Sequence, residues 1–238
     1  MQINIDLGEG GNDDQIFMPH ISACSIACGG HYGTVETIKK TITLALSYGV
    51  NIGCHPSYPD KKNFGRKSMN MNMNDFQNSL KEQILNFKEA ISFFSTNWHH
   101  CKAHGALYND IAENEQLAQS YLEVLCEFPE INYLILPLSK PIIKIAKKMN
   151  FNILNEVFSD RKYDESLSLV SRNQKNSILN SLDEFKINLQ QILDGKIQLS
   201  NGDIKKISYD TICLHSDTLM SKKFIRLMSN ISDDKKLQ

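Results

Sequence analysis

Four histidines in this 238-residue chain, His31, His55, His104 and His215, each follow a short apolar run of the kind that forms a β-strand. Histidine is the side chain best suited to proton transfer near neutral pH, and its neutral ring is a good metal ligand. One histidine after a strand is ordinarily a structural hydrogen bonder, but four at equivalent strand ends point to a shared pocket. His20, His99 and His100 lie before or within loops and strand starts and read as structural or solvated. Asp6 and Glu9 form a carboxylate pair at the first strand and its turn. They either cap that turn and pair with a lysine, or serve as general base, metal ligand or orienting partner of a histidine. Asp217, two residues beyond His215, has the same choices. A carboxylate–histidine rim suits a divalent metal, yet H-E-x-x-H spacing is missing, so the motif evidence leaves metal open.

Three further features bear on a substrate. Arg66, in a long loop, offers a bidentate grip on a carboxylate or phosphate, unless it is a solvated surface arginine. Lys102 stands two residues before His104, so on a strand both side chains point the same way. That places an ammonium in the pocket, unless it only pairs with a strand-end acid. Gly29-Gly30 before His31 lets the backbone approach a ligand closely, or supports a tight turn. Neither a G-x-x-x-x-G-K-[ST] loop nor a G-x-G-x-x-G fingerprint occurs in the sequence.

These residues need strand ends to hold them, and the chain supplies strands alternating with helices. β-like runs at Ile3 to Leu7, Ala23 to Cys28, Val50 to His55, Trp98 to Ala103, Tyr133 to Pro137, Phe151 to Val157 and Thr211 to Leu214 are each bounded by turn residues. Between them, apolar residues recur at helical spacing from Val35 to Tyr48, after a cap at Asn74-Asp75, from Asn114 to Phe128, from Pro141 to Met149 and from Leu182 to Leu193. Such alternation implies parallel strands with right-handed crossovers, as a doubly wound sheet or a barrel. Polar groups close nearly every strand: Asp6 and Glu9, His31, His55, His104, Asp160 and Arg161, His215 and Asp217. A barrel gathers them on one rim, whereas an open sheet spreads them along an edge. The expectation is a single-domain α/β barrel, 1–238, incomplete at about seven strands, with a frayed tail after Asn230.

Composition narrows the function classes. Lys+Arg number 26 against Asp+Glu 27, so no basic excess draws the chain to nucleic acid or an anionic membrane. Hydrophobic residues at 41 % suit a packed globular domain. No apolar run approaches the ~20 residues of a membrane helix, and the amino terminus lacks the pattern of a secretory signal. The six cysteines, with no C-x-x-C pair, fit small buried hydrophobes in a reducing, cytoplasmic setting.

The same residues fall into ordered blocks: Asp6-Leu-Gly-Glu-Gly10, Ile26-Ala-Cys-Gly-Gly-His31, Gly53-Cys-His-Pro-Ser-Tyr-Pro-Asp60 and Phe64-Gly-Arg66. Lys102-Ala-His-Gly-Ala-Leu-Tyr-Asn109, Glu156-Val-Phe-Ser-Asp-Arg161 with Tyr163, Leu169-Val-Ser-Arg172 and Asp210-Thr-Ile-Cys-Leu-His-Ser-Asp-Thr218 follow. In these blocks the chain resembles the LamB/YcsF family of 5-oxoprolinase A subunits over nearly its whole length. It departs from the family pattern at Ala103, usually proline, at Ser216, usually glycine, and at Thr34, usually aspartate. The resemblance implies a distorted (β/α) barrel of the glycoside hydrolase/deacetylase type. It also implies ATP-dependent opening of 5-oxo-L-proline to L-glutamate, with ATP and magnesium as co-substrate, in a complex with separate B and C subunits.

Joined to the residue reading, this assigns Asp6, Glu9, His55 and His104 as acid–base or orienting groups. Lys102 and Arg66 would face a substrate carboxylate or phosphate, and His31, His215 and Asp217 would complete the pocket. Two alternatives stand beside it: a metal-dependent carbohydrate deacetylase-like amidohydrolase, and a non-catalytic ligand-binding subunit.

Overall fold

A computed structural model describes residues 1–175 and 177–234 of the chain. Seven parallel strands form a closed ring: β1 (Ile3–Leu7), β2 (Ala23–Ala27), β3 (Asn51–His55), β4 (His100–Cys101), β5 (Tyr133–Pro137), β6 (Ile153–Phe158) and β9 (Thr211–Cys213). Between the last two in sequence lies a small antiparallel hairpin, β7 (Lys196–Gln198) with β8 (Ile204–Lys206), which the residue pattern does not announce. β9 closes the ring because Ile212 and Cys213 lie in register with Val157 and Phe158 on one side and with Ile3 and Asn4 on the other. The barrel is therefore short in strand number, with seven strands rather than eight, but it has no open seam. Closure leaves no unpaired strand edge within the ring.

Helices follow the strands: α1 (Asp14–Phe17), α2 (Val35–Ser47), α3 (Met73–Ile91), α4 (Gly105–Glu113), α5 (Glu115–Leu125), α6 (Lys140–Lys148), α7 (Leu182–Leu193) and α8 (Ser221–Asp234). Local chemistry sets their ends. Thr34, where the family usually has aspartate, caps α2 by a reciprocal box with Thr37, so its hydroxyl is committed to the helix. The cap of α3 is Asn72, which accepts from Asp75 N at 2.9 Å, rather than the expected Asn74-Asp75. α4 is hidden in sequence between the His104-Gly105 break and the Asn114 cap. α8 carries helical structure past Asn230 to Asp234, so fraying does not begin there; the rest of the expected tail, 235–238, lies outside the described residues.

Strand alternation sorts the core. Ile3, Ile5 and Leu7 join the hydrophobic core, whereas Asn4 and Asp6 meet Lys102 within the barrel. The inside of this barrel is accordingly polar: Asn4, Asp6, Ser25, His55, His100, Lys102, Glu156 and Thr211 are all buried. Buried polar groups are costly unless bonded, and most of these are: Asn4 to Thr211, Ser25 to His100, Lys102 to Asp6, while Glu156 has no hydrogen bond and is met by the Lys102 charge. All six cysteines are free thiols and five are buried, as their apolar surroundings suggested. Among the described residues, no helix is long and apolar enough to cross a membrane.

Candidate active site

The carboxyl ends of β1, β2, β3 and β4 carry the first group of chemical side chains to one place. Asp6 leaves β1, and Glu9 stands in the turn beyond it. His31 follows β2, His55 ends β3, and His104 follows β4 as the residue that opens α4. Rings and carboxylates meet there. His55 Nε2 lies 3.0 Å from His104 Nδ1 and 3.3 Å from Asp6 Oδ2. Glu9 Oε1 is 2.9 Å from His31 Nε2 and 3.2 Å from His104 Nδ1. His31 and His104 stack at 3.7 Å between ring centroids.

Backbone carbonyls orient two of these rings. His55 Nδ1 lies 2.8 Å from the Lys102 carbonyl and His104 Nε2 lies 3.0 Å from the Phe64 carbonyl. A carbonyl only accepts, so each of those nitrogens carries the proton. The Phe64 carbonyl belongs to the long loop after β3, which folds back over the site. Gly65 has φ +63, and a Cβ there would stand 3.0 Å from His104 Cδ2 and 3.1 Å from His31 Cβ. Gly30, by contrast, is needed for packing: a Cβ would collide with Gln83 Oε1 and Ser57 Oγ, so the Gly29-Gly30 pair serves a tight turn and not a ligand.

Burial sets the protonation states. It pushes the His31 imidazole down to about 4 against the opposing pull of Glu9, and it lowers His104 in the same way. Burial works to raise Glu9, but the bonds and charge of His104 and His31 overcome it and hold the carboxyl well below its ordinary range. For Asp6 the same contest is decided by His55 and Lys102, again downward. At neutral pH the arrangement is two ionised carboxylates, Asp6 and Glu9, beside the neutral rings of His31 and His104.

Lys102 differs from expectation. It is 1 % exposed, with Nζ 2.9 Å from Asp6 Oδ1 and 2.9 Å from Glu156 Oε1, the latter an ion pair by distance with poor hydrogen-bond angles. The ammonium is therefore committed to two strand-end acids, the alternative that its position had left open. Burial disfavours its charge, but Asp6 foremost, with Cys213 and Glu156, raises its pKa well above the ordinary lysine value.

The second half of the rim is built differently. His215 Nδ1 lies 3.0 Å from Asp160, its ring stacks on Phe158 at 4.8 Å, and it stands apart from the other three histidines. Asp217 bonds both Arg66 and Arg172, the latter at 3.1 Å. Burial works to raise Asp217, yet Arg172, His215 and Arg66 together keep its carboxyl low. Arg161 is fixed by the carbonyls of Ser177 and Val170, and burial beside Arg172 lowers it to about 10. Ser216, in place of the usual glycine, donates to the Asp6 carbonyl at 3.1 Å.

Between the two halves lies a cleft of about 490 Å³. Asp6, Glu9, Lys102 and His104 reach it from one side; Arg66, Arg161, Arg172, His215 and Asp217 reach it from the other. His31 and His55 sit behind that surface. This volume falls within the ~300–1,000 Å³ typical of small-molecule sites. Sequence reasoning misses Glu156 and Arg172 as site residues, and it places Arg161 on the rim without giving it a role. Glu156 signals itself as an acid inside an apolar run, and both arginines fall within the ordered blocks. The H-x-x-x-H spacing of His100 and His104 also escapes it; the pair lies along a strand and its exit, and His100 is tied to Ser25 at 3.1 Å.

The profile of the LamB/YcsF family matches residues 1–238. A Bacillus cereus protein named as the A subunit of 5-oxoprolinase is 32 % identical over 246 residues, 100 % of this chain and 96 % of the relative. A Bacillus anthracis protein of the same name is 32 % identical over 234 residues, 95 % of this chain and 92 % of the relative. The crystal structure of a lactam utilization protein from Thermus thermophilus superimposes with a TM-score of 0.86 at 26 % identity, covering 98 % of each chain.

Proposed function

This chain belongs to the LamB/YcsF family, and from that premise we propose that it is the A subunit of an ATP-dependent 5-oxoprolinase, opening 5-oxo-L-proline to L-glutamate. The observation that carries the reading is the two-sided cleft, an acid–base cluster facing an arginine flank. The substrate is a five-membered lactam bearing one carboxylate. Its amide resists hydrolysis near neutral pH; phosphorylation of the amide oxygen makes the ring carbon electrophilic and supplies a leaving group. ATP is then consumed to ADP and phosphate while water opens the ring, giving the amine and carboxylate of glutamate.

Each half of the cleft has a part in that chemistry. Arg66 and Arg172 present guanidinium groups that share the single carboxylate of Asp217. Two cations against one anion leave positive charge for a substrate carboxylate or phosphate, which a planar fork binds well. On the other side, Glu9 and His104 are placed to take a proton from water and return one to the ring nitrogen. His31 and His55 orient them, Lys102 holds Asp6 ionised, and His215 with Asp160 closes the far wall. In this reading the chain works in the cytoplasm in a complex with the B and C subunits expected from the resemblance.

The test is glutamate release from 5-oxoproline with ATP and magnesium, for this chain alone, for candidate B and C subunits without it, and for the mixture. ATP-dependent glutamate in the mixture, lost when this chain is omitted, is the expected result. No glutamate from folded, assembled proteins would overturn it. The acid–base cluster favours one second reading, an amidohydrolase that needs no ATP, which amide cleavage by the chain alone without nucleotide would single out.

A further inference from the structure

The proton count inside the acid–base cluster does not close. His55 uses its Nδ1 proton on the Lys102 carbonyl, and His104 uses its Nε2 proton on the Phe64 carbonyl. Their inner nitrogens, His55 Nε2 and His104 Nδ1, are then bare lone pairs 3.0 Å apart. Asp6 Oδ2 stands 3.3 Å from the first, and Glu9 Oε1 stands 3.2 Å from the second and 3.9 Å from the first. Four acceptors thus converge with no donor among them. One added proton bridges a single pair and leaves the other acceptors facing each other. Asp6 and Glu156 also share one ammonium, Lys102, while Glu9 is paired with histidines alone, so the three carboxylates outnumber the lysine charge beside them.

We propose that Asp6, Glu9, His55 and His104 bind one divalent transition-metal ion of the zinc class at the floor of the cleft. Zinc bonds to nitrogen and carboxylate oxygen run about 2.0–2.2 Å, so neighbouring ligand atoms in a tetrahedral shell stand about 3.3 Å apart. Four of the six edges among these atoms measure 3.0, 3.2, 3.3 and 3.9 Å, and Asp6, His55 and His104 each offer a ligand atom within 4.8 Å of the others, with Glu9 joining through His104. Outer contacts complete the pattern expected around a metal. Each ligating imidazole donates its far N–H to a backbone carbonyl, which fixes ring and tautomer, and each carboxylate has its own partner, Lys102 for Asp6 and His31 for Glu9. A two-nitrogen, two-oxygen donor set suits Zn²⁺ or Co²⁺ over the all-oxygen shells that Mg²⁺ and Ca²⁺ favour. With an ion in place, Glu9 and His104 would hold it rather than move protons themselves; the inference stands on this geometry alone and is read by binding, so it survives or fails independently of 5-oxoproline turnover.

The experiment starts from full-length protein stripped by a chelator and titrated with Co²⁺, then with Zn²⁺ against a chromophoric chelator. One equivalent should bind, with the intense visible absorption of four-coordinate Co²⁺, and Zn²⁺ should displace it. His55→Gln and Glu9→Gln should each weaken Zn²⁺ by at least about 100-fold, the upper end of what loss of an outer partner alone costs. His20→Gln, whose ring bonds Ser229 away from the cleft, should leave binding unchanged. Thermal melts confirm that the variants are folded. X-ray absorption on the zinc-loaded wild type needs no variant and should show two imidazoles in a shell of four. Absence of stoichiometric binding, affinity unchanged in the folded His55→Gln and Glu9→Gln proteins, or a shell of oxygens only would each overturn the assignment.

Discussion

Lys102→Met is the most informative single change for the architecture of the barrel interior. The substitution keeps a long unbranched stem and removes the ammonium that contacts Asp6 Oδ1 at 2.9 Å, Glu156 Oε1 at 2.9 Å and Asn4 Oδ1 at 3.2 Å. Asp6 and Glu156 are 8 % and 1 % exposed, so water does not replace the lost partner. Breaking a buried ion pair from one side costs about 3–5 kcal/mol, because a buried charge is left without compensation. For a chain of this size each kcal/mol moves the midpoint by about 2–4 °C, which predicts a fall in Tm of about 6–20 °C. Lys81→Met is the contrast: its pair with Glu127 is exposed on both sides, and its loss should cost no more than about 1 kcal/mol. The assay is urea and thermal unfolding of both variants at pH 7, followed by a cycle with Glu156→Gln. Removing the Glu156 charge as well takes away one orphaned anion, so the double variant should recover part of the loss, with a coupling of at least about 1 kcal/mol. Orphaned carboxylates inside the barrel have raised pKa values and bind protons in the folded state first, so the penalty should shrink as pH falls toward about 4. A Lys102→Met protein within about 1 kcal/mol of wild type at pH 7, or strict additivity in the cycle, would refute the view that this lysine holds the interior together.

His104→Ala removes the ring that touches Glu9, His55 and the Phe64 carbonyl; glutamate release by the assembled enzyme should fall by at least about 100-fold with the fold retained in circular dichroism, and retained turnover would end its assignment. Gly65→Ala forces a side chain into a φ of +63 against His104 and His31; we expect about 1–3 kcal/mol of strain and reduced turnover, checked by melting and kinetics together. Arg66→Ala should raise KM for the anionic substrate more than it lowers kcat, since its guanidinium grips and does not transfer protons; an unchanged KM would place the anion elsewhere. The Asp217 carboxyl is held low, so its bridge to Arg66 and Arg172 is present above the ordinary carboxylate pKa of about 3.9 and lost as pH falls below it. Asp217→Asn should therefore show less acid-side loss of stability than wild type in melts taken from about pH 6 down to about pH 3.

Much of the rim is legible from residue order alone. Strands that end in His31, His55 and His104 announce themselves, because a β-branched or apolar run broken by glycine or proline next to a titratable residue has few other readings. The helix faces follow from spacing, and the Asn114 and Leu182–Leu193 assignments fall where the chain places them. The weak points are local. β4 is two residues long, held in the ring by its neighbours rather than by its own propensity, and α4 begins directly at His104 with no capping side chain to mark it. Glu156 reads in sequence as part of a motif block, while its role as a counter-charge depends on a lysine 54 positions earlier in the numbering.

Sequence by itself determined that strands and helices alternate, that chemical side chains sit at strand ends, and which family pattern the chain carries. These are properties of neighbours along the chain: period, turn residues, and the identity of the group after each strand. Tertiary structure decided what each group does. Ring closure through β9 links β1 to β6 around the barrel, which commits Lys102 to Asp6 and Glu156. The loop over the site supplies the Phe64 carbonyl that sets the His104 tautomer, and the far strand ends separate His215 from the other three histidines. Tautomer, counter-charge and burial depend on distances between atoms remote in sequence. A linear reading can therefore name the participants in this site, and only the closed barrel assigns their protons and charges.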